Sequence, residues 1–169
     1  MPMRHIDIVL ISVHTPLICG IYENNQLISQ SQSDELLLSA LPHFFESVLP
    51  TSSQHPAYHH TKIDAIYYAN GPGSFSALKL THIFLQTLHI VHGIKLFATS
   101  SFYFTSSAYI KAFGNSYFHQ NAAGEISLIQ NAKALLGWQL TEAEFSLPHI
   151  LDRSAFGLKV EPLYVLPPV

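Results

Sequence analysis

The chain has 169 residues, a formal net charge of −3, and 11% charged residues against 48% hydrophobic ones. That length fits one ordinary domain or two small lobes sharing a core, and charge far below the roughly 25% of an average soluble domain leaves apolar surface for a partner to cover. The eight Lys and Arg are scattered, so there is no basic stripe to neutralise a phosphate backbone, which disfavours direct, tight nucleic-acid binding.

The opening MPMRHIDIVLISVHTP carries a short apolar run with Asp7 inside it, and it meets His14 and Pro16 without a small-residue cleavage site. It reads as a strand over Ile6 to Val13, buried on both faces, rather than as a signal peptide. Leu17 to Tyr22 and Gln26 to Gln30, joined by Glu23-Asn24-Asn25, form an expected hairpin, because Asn tolerates the positive φ of a tight turn. Ser33-Asp34-Glu35 then starts a helix reaching Val48, with a hydroxyl to cap and acids to meet the dipole. Leu36, Leu37, Leu38, Leu41, Phe44, Phe45 and Val48 make it apolar on two sides, and Pro42 is expected to kink or divide it.

Pro50 to Thr61 is polar and aperiodic, a loop. Ile63 to Ala69 is a second buried strand, Phe75 to His92 a helix stopped by Gly93, and Ile94 to Ala98 a strand again. Ser101 to Phe113 is expected to be a third helix. Ser116 to His119 and Glu125 to Ile129 flank Asn121-Ala122-Ala123-Gly124 as a second hairpin, and a short helix follows over Gln130 to Leu136. Glu161 to Leu166 is expected as a final strand closed by Pro167 and Pro168. No repeat, low-complexity segment or span of ~18 apolar residues interrupts the pattern, and the expected location is the cytoplasm. Cys19, alone, excludes an intramolecular disulfide and reads as a core residue in a reducing compartment.

The stretch Asn70-Gly71-Pro72-Gly73-Ser74-Phe75-Ser76-Ala77-Leu78-Lys79 is the most distinctive motif. A phosphate loop needs lysine and a hydroxyl directly after the second glycine; here Ser-Phe-Ser follows, and Lys79 lies within the helix. The dinucleotide pattern fails too, since Ser76 replaces its third glycine. The glycines then serve chain reversal and Ser74 serves as a helix cap. Eleven histidines invite a metal reading, yet His89 and His92 share a helix face with no carboxylate or third ligand beside them, and His59 and His60 sit in a loop. No GxSxG elbow nominates a nucleophile.

Residues Ile63 to Lys79 resemble the GPGSFTGxR stretch and preceding strand of the bacterial TsaB (YeaZ) family. Val9 to Pro16 is similar to that family's first strand and turn, Ala98-Thr99-Ser100 to its VST, and Glu161-Pro162-Leu163-Tyr164 to its EPxY ending. The resemblance covers residues 6 to about 105 and the ending.

It implies an α/β, actin-like ATPase fold with a mixed sheet flanked by helices, an N-terminal lobe over 1–100 and a reduced second lobe over 101–169. It also implies a non-catalytic subunit of the machinery that makes threonylcarbamoyladenosine in tRNA, without a cofactor or metal of its own. The implied partners are a TsaD-like catalytic subunit, bound through the first two helices, and a TsaE-like ATPase. A homodimer is expected when the chain is alone, tRNA is met only through the complex, and no membrane is involved. Leu36, Gly71, Pro72, Gly73, Ser74, Phe75, Leu78, Lys79 and Ile83 are the implied interface.

His14 and Thr15 stand at the family's first turn, where Asp is usual; a neutral imidazole offers magnesium no anionic oxygen. Lys79 keeps a charge without the planar fork of arginine, and Ala77, Leu80 and Thr81 are expected to widen the helix contact. Two other readings predict different chemistry. A nucleotide-hydrolysing or peptidase-like enzyme of the same fold needs a carboxylate near the first turn, for which Asp7 is the nearest in sequence. A histidine-based metal-binding module predicts stoichiometric zinc or nickel.

Overall fold

A computed structural model describes residues 2–49, 59–140 and 143–166. The expected loop from Pro50 falls largely outside the described residues, as do Pro167 and Pro168. Three strands open the chain: β1 (Arg4–Ile11), β2 (Leu17–Glu23) and β3 (Gln26–Ser33). They pair antiparallel in sequence order. The β2–β3 turn is the one the Asn pair calls for, with φ of 52° at Asn24 and 65° at Asn25. β4 (Thr61–Ala69) and β5 (Lys95–Thr99) add parallel strands beyond β1, giving one mixed sheet in the order β3-β2-β1-β4-β5. β1 is central, which explains why its residues from Ile6 to Ile11 are all buried.

The two faces of the sheet are covered by different means. Even-numbered residues of β1, Ile6, Ile8 and Leu10, share a core with Ala40, Leu41, Phe45 and Val48 of α1 (Leu37–Val48) and with Leu85 and Leu88 of α2 (Phe75–His92). Full burial of a side chain such as Leu85 or Leu10 stabilises by about 1.5–3 kcal/mol. Odd-numbered Val9 and Ile11 face Phe104, Leu147, Leu151 and Phe156, a covering supplied by irregular chain. That strap is pinned to β2 and its turn by Tyr22 Oη donating to Pro148 O at 2.5 Å and by the Leu151 amide donating to Asn25 O at 2.7 Å.

β6 (Tyr109–Lys111), β7 (Tyr117–Gln120) and β8 (Ile126–Ile129) form a separate antiparallel sheet, followed by the short α3 (Ala132–Leu136). Its core joins Ile110, Phe118 and Leu128 to Phe102.

Several expectations are corrected. α1 begins at Leu37, not at Asp34, because β3 holds the backbone as far as Ser33, which pairs with Leu17. The acids therefore precede the helix, and no side chain caps it. α1 also runs unbroken across Pro42. The expected helix over Ser101 to Phe113 is a 3-10 turn over Ser101–Phe104 followed by β6. The Ser107 hydroxyl accepts from the Tyr109 amide at 3.1 Å and Thr105 Oγ1 accepts from the Ser107 amide at 3.2 Å, local bonds that compete with helix. Glu161 to Leu166 forms no strand: Pro162 has no amide proton to give a ladder, and the Leu163 amide donates to Asn70 O in the turn.

Candidate functional site

The turn Asn70 to Ser74 joins β4 to α2, and several of its backbone groups are engaged with other parts of the chain. The Ser74 amide donates to Val13 O at 2.9 Å, Gly71 O accepts from the Ser101 amide at 2.8 Å, and the Asn70 amide donates to Thr99 O at 3.1 Å. Its glycines are demanded by close approach. A Cβ on Gly73 would stand 2.6 Å from Val13 Cβ and 2.7 Å from Val13 O, and one on Gly71, whose φ is +130°, would stand 2.5 Å from Leu163 O. The amide that a phosphate would seek at Ser74 is bonded to the end of β1. Ser74 occupies the N-cap position, but its hydroxyl makes no cap bond and lies 3.2 Å from Ser76 Oγ, which corrects the expected cap. The C-terminal stop is as expected, with Gly93 at φ 68° donating its amide to His89 O.

The ending Glu161-Pro162-Leu163-Tyr164 closes over this turn. Asn70 Nδ2 donates to Glu161 O at 2.8 Å, Asn70 O accepts from the Leu163 amide at 2.7 Å, and the Tyr164 ring meets Phe75 edge-on at 5.6 Å between centroids. Two motifs about ninety residues apart thus form one corner, reinforced by Tyr68 Oη donating to Val160 O at 2.7 Å.

Apart from Ser74, which is half-buried, the residues implied as an interface divide into two sets. Gly71, Pro72 and Gly73 are buried in the turn, and Leu78, 3% exposed, packs with Val9, Val13 and Phe104. Leu36, Phe75, Lys79 and Ile83 face outward, Leu36 at 80% and Ile83 at 55% exposure. α2 buries Leu78, Thr81, Leu85 and Leu88, so the opposite stripe, with Lys79 and Ile83, faces solvent. A groove of about 480 Å³ lies between the starts of α1 and α2, lined by Leu36, Leu38, Ser74, Ala77 and Leu80 and reaching His14 and Thr15. Leu38, 71% exposed, is a contributor that sequence reasoning did not place. Thr81 does not widen the contact, because it points inward and bonds Ser12 Oγ at 2.9 Å.

At the first turn, Thr15 is exposed and His14 half-buried. They line a cleft of about 730 Å³ between the two sheets, with Gln32, Lys111, Glu144 and Phe145. Burial holds the His14 imidazole below its ordinary pKa against an opposing hydrogen bond with the Lys111 backbone, and its Nε2 is buried without a partner. An imidazole in either form supplies no anionic oxygen to a hard cation. Asp7 lies seven residues earlier in the chain, inside β1. It is 4% exposed and bonded to Arg153 Nη2 at 2.6 Å. Arg153 also donates to Asn25 Oδ1 at 2.7 Å and Tyr67 Oη at 3.2 Å. Among the described residues no three His, Cys, Asp or Glu side chains gather as a metal site, and no helix is long and apolar enough to cross a membrane.

No protein-family model matches the sequence, and no curated protein matches it. Solved structures do. YeaZ from Pseudomonas aeruginosa superposes with a TM-score of 0.55 at 14% identity, over 79% of this chain and 71% of that one. An uncharacterized protein with similarity to peptidase YEAZ from Pseudomonas aeruginosa gives 0.49 at 13% identity, over 74% and 66%. At such identities the likeness is one of fold: this chain is built on the fold of YeaZ.

Proposed function

We propose that the chain is a TsaB (YeaZ)-like, non-catalytic subunit of the machinery that makes threonylcarbamoyladenosine in tRNA, working in the cytoplasm on the actin-like ATPase fold of that family. In this reading α1 and α2 dock on a TsaD-like catalytic subunit, and a TsaE-like ATPase joins the pair. The tRNA meets the complex rather than this chain, whose eight basic residues form no stripe.

The observation that carries the reading is the pairing of a committed turn with an uncommitted helix face. The Gly-Pro-Gly turn spends the Ser74 amide and its glycine surfaces on β1 and the tail, while Leu36 and Leu38 stand in solvent at a groove between α1 and α2 and Ile83 is exposed farther along α2. Exposed apolar residues grouped this way mark a protein contact. The fold of YeaZ and the motif at Asn70 to Lys79 support a TsaD-like protein as the partner in this reading.

Mixing the purified chain with the TsaD-like protein of the same organism at micromolar concentration, then separating by size, tests it. A co-eluting complex that restores tRNA modification in reconstitution is the expected result. Two independent peaks with no restoration, or magnesium-dependent nucleotide hydrolysis by this chain alone, would reject it.

A further inference from the structure

The second sheet meets the first at a joint beside the cleft. Phe145, on the strap, packs against both of their cores, and the Phe113 ring past the end of β6 lies 6.2 Å from that of Phe75 at the start of α2. The His14 imidazole, just past the end of β1, reaches the Lys111 backbone at the end of β6. The cleft of about 730 Å³ opens alongside, with Ile11, His14 and Ile18 on one wall and Ile110, Lys111 and Ala112 on the other. One imidazole therefore belongs to the first sheet by sequence and to the joint by contact.

We propose that His14 is a proton-sensitive clasp between the two sheets: the neutral ring holds the cleft closed, and uptake of a proton parts the second sheet from the first turn. Its Nε2 is buried without a hydrogen-bond partner. An imidazolium is a donor at both nitrogens, so in the closed joint the charged ring buries an N–H that has no acceptor. Burial is the larger influence against the charge and the Lys111 ammonium adds repulsion; the bond to the Lys111 backbone favours the charge without offsetting them. The other charged groups nearby are Glu144 of the strap, which lines the same cleft, and Glu35, which lines the groove beyond His14 and is paired with His43 at 3.0 Å. Among the described residues neither carboxylate meets Nε2, and Gln32 of β3 and Ser74 before α2 bring no charge to these walls. Once the joint opens, water supplies the missing acceptor and the ring returns toward its ordinary 6.5. The closed joint thus binds the proton less tightly than the open one. Its stabilisation is fully present above 6.5 and is lost as pH falls through the lower closed-state value. The clasp does not depend on what docks on α1 and α2.

The test uses the full chain with spin labels on Ser29→Cys in β3 and Ser127→Cys in β8, both exposed, while the buried Cys19 stays unlabelled. The distance between labels is read at about pH 7.5 and about pH 5.5, with circular dichroism alongside. A longer-distance population that grows several-fold on acidification, with unchanged circular dichroism, is expected; one unit below 6.5 allows at most about tenfold. His14→Gln keeps a polar side chain that does not titrate, and is expected to hold one distance at both pH values. Carbon-13 shifts of the imidazole in the unsubstituted chain give a reading that needs no variant, with His14 titrating below 6.5. No growth in the labelled chain that retains His14, equal growth with His14→Gln, growth accompanied by loss of the circular dichroism signal, or a His14 that titrates at or above 6.5 would each overturn the proposal.

Discussion

Gly73 and Val13 touch so closely that no side chain can be added between them: a Cβ at 73 would meet Val13 Cβ at 2.6 Å and Val13 O at 2.7 Å. The Ser74 amide bonds the same carbonyl, so the start of α2 is clamped on the end of β1. Gly73→Ala must move backbone rather than a flexible side chain. It is expected to cost about 1–3 kcal/mol, read as a lower urea midpoint with an unchanged slope, whereas alanine at Gly114, where a Cβ meets nothing within 4 Å, loses only what its positive φ imposes.

Ser12 and Thr81 bond each other at 2.9 Å while 1% and 2% exposed. Thr81→Val strands the Ser12 hydroxyl, at a cost of about 1–3 kcal/mol. Adding Ser12→Ala removes the stranded group, and the double variant should recover much of the loss. A double-mutant cycle in urea measures the coupling.

Asp7 carries opposing influences. Burial pushes its carboxyl above the ordinary 3.8, with Arg153 pulling down and Asp64 pushing up. The folded chain therefore holds this proton more tightly than the unfolded one. The resulting stabilisation is complete below the unfolded pKa and is lost as pH rises through the folded value. Asp7→Asn titrates nothing, so from acid to neutral pH the wild type should lose stability relative to this variant. Arg153→Ala leaves the carboxylate unpaired, and should raise the Asp7 pKa further and steepen that loss, followed by carboxyl chemical shifts.

On the proposed docking face, Ile83→Asp puts a charge where α2 offers an exposed apolar side chain. It should weaken binding to the TsaD-like subunit at least tenfold without lowering the melting temperature. Lys79→Glu should act mainly on the association rate and its salt dependence, as rim charges do. Leu78→Asp would instead unfold the protein, because Leu78 is in the core.

Cys19 is 2% exposed, and burial pushes its thiol up to about 12. An aromatic disulfide reagent should leave the folded chain unmodified and react with one thiol per chain once urea has unfolded it.

Much of the fold was legible because it is written locally. β-branched runs marked β1 and β4, Asn24-Asn25 marked the hairpin, and Gly93 marked the end of α2. The reading failed where a local signal competed with a distant one. Ser33-Asp34-Glu35 looks like a helix start, yet pairing of Ser33 with Leu17 keeps it in the sheet. Ser101 to Phe113 is expected as a helix, but its Thr and Ser hydroxyls bond nearby backbone and Tyr109–Lys111 finds a partner in β7. In the candidate site, the outward positions of Lys79 and Ile83 and the inward one of Leu78 follow from which face of α2 meets the sheet, which helical periodicity alone leaves open.

By itself the sequence determined the elements whose causes lie within a few residues: turn chemistry, stops, buried strands, and a Gly-Pro-Gly break that is no phosphate loop. Only the tertiary structure decided what that break is for. It brought Val13, Ser101 and Leu163 against Asn70 to Ser74, and covered one sheet face with helices and the other with a strap. Such choices depend on contacts between residues far apart in the chain. They are fixed by which surfaces can be buried together without stranding a polar group or opening a void, a condition that no single segment carries.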